Sequence, residues 1–283
     1  RRAERVSARC LCALVPALLV ISAAGCRSAE IAAYDRPETL PAYAELARAH
    51  NENVGRFETL WSYVVSSIRY TDASGDRRRE QGEGHLQFER PDRVALSIGK
   101  LGEVIVWIGT NDERFWLLEP TSDPPAALVG LHEGLSRVTR DELGLPVEPS
   151  ALVDALGLTA LPTGVEATPS FDPETNEVLF ETGSRRYGFD LDSGRLSRVE
   201  FLGEGGEAVA RSMLSGTVAV ELPDEAAFFP EIARRVEIVE IETGNRFRVT
   251  FSEAEARPIK RRVFDPSYLL DAFRIERIRE VGG

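Results

Sequence analysis

The chain has 283 residues, 43% of them hydrophobic and 28% charged, with a formal net charge of −12. That length and balance suit a globular protein with a sizeable core and exclude disorder along most of the chain. The acid excess argues against a nucleic-acid partner, whose phosphates it would repel.

Arg1, Arg2, Arg5 and Arg9 form a basic segment, and Cys10 to Gly25 follows without a charge, rich in Leu, Val and Ala. The run closes on Ala23-Ala24-Gly25-Cys26. A basic region, a short apolar region and small residues before a cut are the pattern of a secretory signal peptide. The run is shorter than the roughly 20 apolar residues of a spanning helix. Residues 1–25 therefore read as a leader, 26–36 as an aperiodic tether and 37–283 as one domain. Small residues directly before a Cys resemble the lipobox of bacterial lipoproteins, with Ala23 standing where that pattern prefers Leu. The resemblance implies that Cys26 carries lipid and holds the chain to a membrane. Cys10 and Cys12 lie in the leader, so its removal leaves Cys26 as the single thiol and no intrachain disulfide forms. Arg27 stands where some lipoproteins carry the Asp that retains them at the inner membrane, which favours the outer membrane.

From Pro37 to about Trp61, Leu40, Tyr43, Leu46, His50, Val54, Phe57 and Leu60 recur three or four apart, the stripe of an amphipathic helix. His50, on that stripe, reads as a packed core residue. Trp61 to Tyr70, rich in Ser, Val, Ile and Tyr, reads as a strand, with a turn at Asp72–Asp76. Four apolar runs follow: His85–Phe88, Val94–Ile98, Val104–Ile108 and Phe115–Leu118. They are cut by Arg90-Pro91-Asp92, Gly99–Gly102 and Gly109–Asp112, which leaves room only for a strand meander. Residues 126–139 are weakly patterned. Pro149 opens a short helix with Leu152, Val153 and Leu156 on one face and Gly157 closing it. Strands return at Val178–Glu181, Arg185–Leu191, Arg195–Phe201, Glu207–Ser215, Val236–Glu242 and Arg246–Phe251, and Pro266 to Phe273 reads as a last helical turn or two. The fold class is mainly β (α+β): one curved antiparallel sheet of about ten or eleven strands around an N-terminal helix and one or two short ones.

Catalytic and metal motifs are weak. His50, His85 and His132 are far apart, and His132-Glu133 lacks the second His of a zinc-protease motif. No Ser stands in a nucleophile elbow, and Gly203–Gly206 is a hairpin turn rather than a phosphate loop opening a helix. The expectation is a non-enzyme without cofactor or metal. The apolar excess is more informative. Val104–Ile108 and Phe115–Leu118 are apolar on both faces and need cover on both, from protein or from an apolar ligand. Leu101 occupies a tight turn where polar residues are expected; it either folds back onto the sheet or inserts into something.

Pro91 to Gly102 followed by an apolar strand resembles the segment of the LolA/LolB family of lipoprotein carriers and receptors that bears a protruding Leu-Gly loop. Gly144 to Pro149 with Leu152 and Leu156-Gly157-Leu158 resembles that family's short helix and its Pro-rich lead. Phe115 to Pro120 and Asp190 to Leu196 are similar to further segments. Gly99-Lys100 stands where the receptors carry Asn-Pro, and the middle and C-terminal parts here are longer. The resemblance implies an incomplete β-barrel whose open side is plugged by the helices, and a cavity for acyl chains of lipoproteins or lipids, with a periplasmic carrier as partner and neither cofactor nor catalysis. It implies that Leu101 is the delivery element. Trp61, Leu86, Phe88, Val94, Leu96, Val106, Trp107, Phe115 and Trp116 are the residues placed to line the cavity. Their alternative role is plain core packing against the N-terminal helix, with the fold serving as a scaffold for protein contacts.

Overall fold

The computed structural model describes residues 33–71, 77–134, 147–223 and 228–281. The leader, Cys26, the Asp72–Asp76 turn and the Gly144–Pro146 lead lie outside these.

Helix α1 (Tyr43–Val54) buries Tyr43, Leu46, Ala47 and Val54. It is shorter than the stripe predicted. Gly55 ends it, its N–H donating to the Asn51 carbonyl at 2.8 Å, and Leu60 and Trp61 belong to the first strand. The strands are β1 (Thr59–Thr71), β2 (Arg77–Glu89), β3 (Arg93–Lys100), β4 (Glu103–Thr110), β5 (Arg114–Glu119) and β6 (Ala126–Leu131). After the short helix α2 (Leu152–Ala155) come β7 (Ser170–Asp172), β8 (Glu177–Thr182), β9 (Arg185–Asp190), β10 (Leu196–Leu202), β11 (Ala208–Ala219), β12 (Glu231–Glu240) and β13 (Arg246–Glu255). Helix α3 (Pro266–Ala272) and β14 (Arg277–Val281) close the chain.

All fourteen strands form one sheet in the order β14-β6-β5-β4-β3-β2-β1-β13-β12-β11-β10-β9-β8-β7. Two meanders meet where β1 pairs antiparallel with β13, from Trp61↔Glu255 to Arg69↔Arg246. Among the described strands only β14 runs parallel to its neighbour, β6. The sheet is long and does not close on itself, because β14 and β7 stand at opposite edges. The half-barrel is thus as predicted, with β6, β7 and β14 added.

Strand alternation assigns the faces. Leu60, Val64, Leu86, Phe88, Val94, Leu96 and Phe115 share one core cluster with Phe180, Phe189, Val199, Val236 and Phe251 from the far half of the sheet. Helix α2 touches β3 and also bonds Ser212 of β11, five places away in the sheet, so that face is concave. The same cluster takes in Leu46 and Val54 of α1 and Leu152 and Ala155 of α2, so these helices fill the hollow.

The convex face has two kinds of cover. Over β3 to β6, Ala95, Trp116, Leu118 and Val129 pack under Phe264 and Leu269. Asp265 caps α3 there, its Oδ1 accepting from the N–H groups of Ser267 (2.9 Å) and Tyr268 (3.3 Å), with Pro266 in the first turn. Over β8 to β11 the cover is ionic. Buried Glu200 accepts from Arg186 (2.8 Å) and Arg211 (2.7 Å). Arg198 reaches Asp172 at 3.0 Å and also pairs with Glu177. Gly188 leaves the space: a Cβ there would lie 2.9 Å from that of Arg198. Burial raises the Asp172 carboxyl, but bonds from the Glu174 N–H, Thr175 and Arg198 outweigh it and hold the pKa below its ordinary value. A buried charge set is tolerable only when every member is paired.

An antiparallel sheet has two rims. The β3–β4, β5–β6, β8–β9, β10–β11 and β12–β13 connections lie on one, called here the hairpin rim. The α1–β1, β2–β3, β4–β5, β7–β8, β9–β10 and β11–β12 connections lie on the other, the tether rim, where the Tyr34 N–H donates to the Pro173 carbonyl at 2.8 Å.

Candidate functional site

The hairpin rim carries the most exposed apolar residue of the described chain. β3 and β4 are joined by Leu101 and Gly102 alone, and Lys100 pairs with Glu103 across the turn. Both turn residues have positive φ, 53° at Leu101 and 86° at Gly102. Two-residue hairpins of this kind favour Asn-Gly, since Asn tolerates left-handed backbone and Leu does not. The Leu101 side chain is fully exposed, at 108%. It has not folded back onto the sheet. One residue thus carries a backbone cost and a solvation cost together, which points to a use outside the fold itself.

Beside the hairpin, on the convex face, lies an open groove of about 700 Å³ lined by Tyr63, Glu83, His85, Ser97, Leu101 and Val104 among others. Gly99 lies among the lining, and a Cβ on it would stand 2.7 Å from the Glu103 carbonyl oxygen. Tyr63 donates to the Glu83 carboxylate, and Lys100 pairs with Glu80. Burial, then the charge of Arg257, pushes the His85 pKa below its ordinary value. The groove continues into a stacked row: His85 on Trp61 with centroids 5.0 Å apart, and the Arg257 guanidinium 3.7 Å from the Trp61 ring centre.

The nine residues expected to line one cavity do not share a face. Leu86, Phe88, Val94, Leu96 and Phe115 point into the hollow, where each is 0% exposed. A void able to admit water would leave accessible surface on its lining, so no such void touches them. Val106 also points inward but is only half-buried. Trp61, Trp107 and Trp116 are a correction. Ser97 faces Trp107 and Gly109 faces Trp116 across the ladders, one residue out of phase with the inward set, and a one-residue offset sends a side chain to the other face. Trp61 stacks on His85. Trp116 lies over Gly109, and Trp107 meets Phe273 at 5.6 Å between centroids.

Helix α1 is held over the hollow by polar clasps. Asn51 Nδ2 donates to the Leu161 carbonyl at 2.9 Å and Asn51 Oδ1 accepts from the Leu161 N–H at 2.7 Å. Asn53 makes the same pair of bonds with the backbone of Glu231. His50 Nε2 lies 3.0 Å from the Thr159 carbonyl. On the other helix, the Ala155 carbonyl accepts from Ser212 Oγ at 2.5 Å. Among the described residues no group of three or more His, Cys, Asp and Glu is placed to hold a metal, and no helix is long and apolar enough to cross a membrane.

Neither a protein-family model nor a curated protein sequence matches the chain. Solved structures do match its fold. A domain of Vibrio parahaemolyticus described as an outer membrane lipoprotein-sorting protein domain superposes with a TM-score of 0.51 at 10% identity, over 80% of this chain and 97% of that one. A DUF1329 family protein of Desulfovibrio piger gives 0.50, at 10% identity and the same coverages. A LolA superfamily protein of Nitrosomonas europaea aligns over 81% of this chain and all of its own, at 11% identity and a TM-score of 0.49. The architecture is an open half-barrel of the kind that the Vibrio and Desulfovibrio structures share. At such identities the likeness is one of fold.

Proposed function

We propose that this chain is a bacterial envelope lipoprotein, held to the outer membrane through lipid on Cys26 and facing the periplasm. It binds acyl chains of lipoproteins or lipids and passes them on at Leu101. It is a carrier or receptor without catalysis or cofactor, and a periplasmic carrier protein is its partner. The carrying observation is Leu101, held fully exposed in a backbone state that Leu disfavours. Supporting it is the fold, shared with a domain described as lipoprotein-sorting.

The filled hollow defines how an acyl chain would enter: α1 must lift. Its five clasping bonds contribute about 1 kcal/mol each, and its four buried apolar residues about 1–2 kcal/mol each. One acyl chain of about 16 carbons, at ~0.8 kcal/mol per CH₂, brings about 12 kcal/mol. The two sums are of similar size, so α1 acts as a lid that a ligand can displace. Leu86, Phe88, Val94, Leu96, Val106 and Phe115 would then receive the chain. The 0% exposure of five of these six also favours a second reading, a regulatory envelope lipoprotein using the fold as a scaffold for protein contacts. Mass spectrometry of acylated material co-purifying with residues 27–283 separates the two. Bound acyl chains support the carrier. A ligand-free protein that also ignores added lipoprotein and fluorescent fatty acid supports the scaffold.

A further inference from the structure

The hairpin rim holds a row of like charges. Arg79 of β2 stands directly opposite Arg69 of β1, and Arg69 directly opposite Arg246 of β13. Opposite residues share a face, and Arg69 follows Ile68 while Arg246 precedes Phe247, both of which pack inward. The three arginines therefore lie side by side on the convex face, across about 10 Å of neighbouring strands. Like charges directly opposite one another destabilise a sheet. Glu237 relieves one end of the row, accepting from Arg246 at 2.9 Å and from Arg248 at 2.8 Å. Among the described residues no carboxylate pairs with Arg69 or Arg79, and both are exposed.

The acids of this rim leave the row uncompensated. Glu80 pairs with Lys100, and Glu83 accepts from Tyr63. Glu103 follows the β3–β4 turn and Glu242 stands in the β12–β13 turn, both exposed. Asp72 and Asp76 belong to the turn outside the described residues. Further round the sheet the rim turns acidic, with Glu119 and Asp123 between β5 and β6 and Glu204 and Glu207 between β10 and β11. The positive row is confined to β2, β1 and β13.

Exposed aliphatic residues flank it. Leu101 stands on one side, and Ile241, 48% exposed in the β12–β13 turn, on the other. The register sets their places. Glu83 faces Gly99, so Leu101, two residues past Gly99, lies one strand aside from Arg79 and about 7 Å from its level along the strand. Val239 faces Arg246, and Ile241 is two residues further on. Cations between two exposed aliphatic side chains match the boundary of a bilayer, where phosphates overlie hydrocarbon. An acidic protein surface would meet the charge alone, whereas a phospholipid layer meets both the charge and the aliphatic pair.

We propose that Arg79, Arg69 and Arg246 bind the phosphates of anionic phospholipid in the membrane that receives the cargo, and so hold the hairpin rim against that bilayer while Leu101 and Ile241 enter it. The inference rests on the delivery part of the function proposed above. Arginine suits the role because its planar fork meets phosphate oxygens two at a time. Each cation at an anionic surface strengthens contact by a factor of about five, the equivalent of about 1 kcal/mol apiece.

The test uses the full chain carrying Leu101→Trp, reconstituted in vesicles with brominated acyl chains, which quench Trp at bilayer depth. Emission is compared with that of the unsubstituted chain, to subtract Trp61, Trp107 and Trp116. In vesicles of phosphatidylcholine and phosphatidylglycerol the added emission should be quenched. Arg69→Gln with Arg79→Gln should lower the equilibrium constant for membrane contact there about 25-fold, two factors of about five. Arg69→Lys with Arg79→Lys should restore most of it. In phosphatidylcholine alone the two Gln substitutions should change little. Lys260→Gln with Arg261→Gln removes the same charge from the exposed segment that Asn111 pins at the tether rim through the Phe264 carbonyl, and should leave the quenching as it was. Circular dichroism of each variant confirms that it is folded. Equal quenching with and without the two arginines in phosphatidylglycerol vesicles overturns the proposal and leaves the Leu101 reading standing. Quenching absent from every vesicle overturns both.

Discussion

Leu101→Asn should make the protein more stable and less active at once. A residue with a Cβ pays about 1–2 kcal/mol in left-handed backbone, and Asn is among the few side chains that reduce this cost. Leu101 is fully exposed, so its removal leaves no cavity and loses no packing. The net gain is about 1 kcal/mol, which in a chain of this size raises the melting temperature by about 2–4 °C. Transfer of acyl chains should suffer instead. A Leu inserted among apolar groups contributes about 2 kcal/mol, so transfer of a fluorescent acyl-peptide from the protein to acceptor vesicles should slow about 30-fold. Both quantities come from one purified variant, by scanning calorimetry and stopped-flow fluorescence. A lowered melting temperature would show that Leu101 is packed in solution. A raised one with unchanged transfer would remove Leu101 from the mechanism.

Asn51→Ala leaves the Leu161 N–H and carbonyl without their partner and should cost about 2–3 kcal/mol, read as a lower urea midpoint at unchanged slope; the same variant should take up fluorescent fatty acid faster, its lid being looser. Gly109→Ala places a Cβ 2.3 Å from the Trp116 ring and should cost at least 2 kcal/mol by forcing that ring from its site, which near-ultraviolet circular dichroism would register. The pH dependence follows from His50, whose pKa burial and then Arg90 push below the ordinary 6.5, against the pull of the Thr159 carbonyl. Above pH 6.5 both folded and unfolded chains hold it neutral and stability is complete. As pH falls below 6.5 the unfolded chain takes up a proton first, so stability declines until the folded-state pKa is passed. The melting temperature of the native protein should therefore fall more steeply between pH 7 and 5 than that of His50→Gln; parallel curves would contradict the buried neutral imidazole.

Much of this fold was legible in the sequence because its turns are chemically explicit. Arg90-Pro91-Asp92 and Asp192-Ser193-Gly194 cut strands where the structure cuts them, and the Gly99–Gly102 break narrows to Leu101-Gly102, with Gly99 and Lys100 kept in β3. The three added strands lack such signals. β6 reads Ala-Ala-Leu-Val-Gly-Leu, nearly uniform because both its faces are covered. β7 is three residues long, and β14 is charged and exposed because it is an edge. The predicted helix overran to Trp61 because Phe57, Leu60 and Trp61 continue a spacing of three and four that a strand also tolerates. The site was half legible. An apolar residue in a two-residue turn singled out Leu101, while period-two alternation, counted through Val106 and Trp107, would have separated the tryptophans from the hollow.

The seam between β1 and β13 has a kinetic meaning. Trp61 and Glu255 are neighbours in space but lie 255 − 61 = 194 positions apart along the chain. A chain made from its N-terminus can form the β2 to β5 hairpins early, yet β1 keeps one row of backbone groups open until residue 255 has been delivered. Contacts of such sequence separation slow folding, and an unpaired strand edge invites wrong partners while it waits. The body should therefore consolidate late and in a single step, with a period in which the bare side of β1 is shielded by a chaperone or at risk of aggregation.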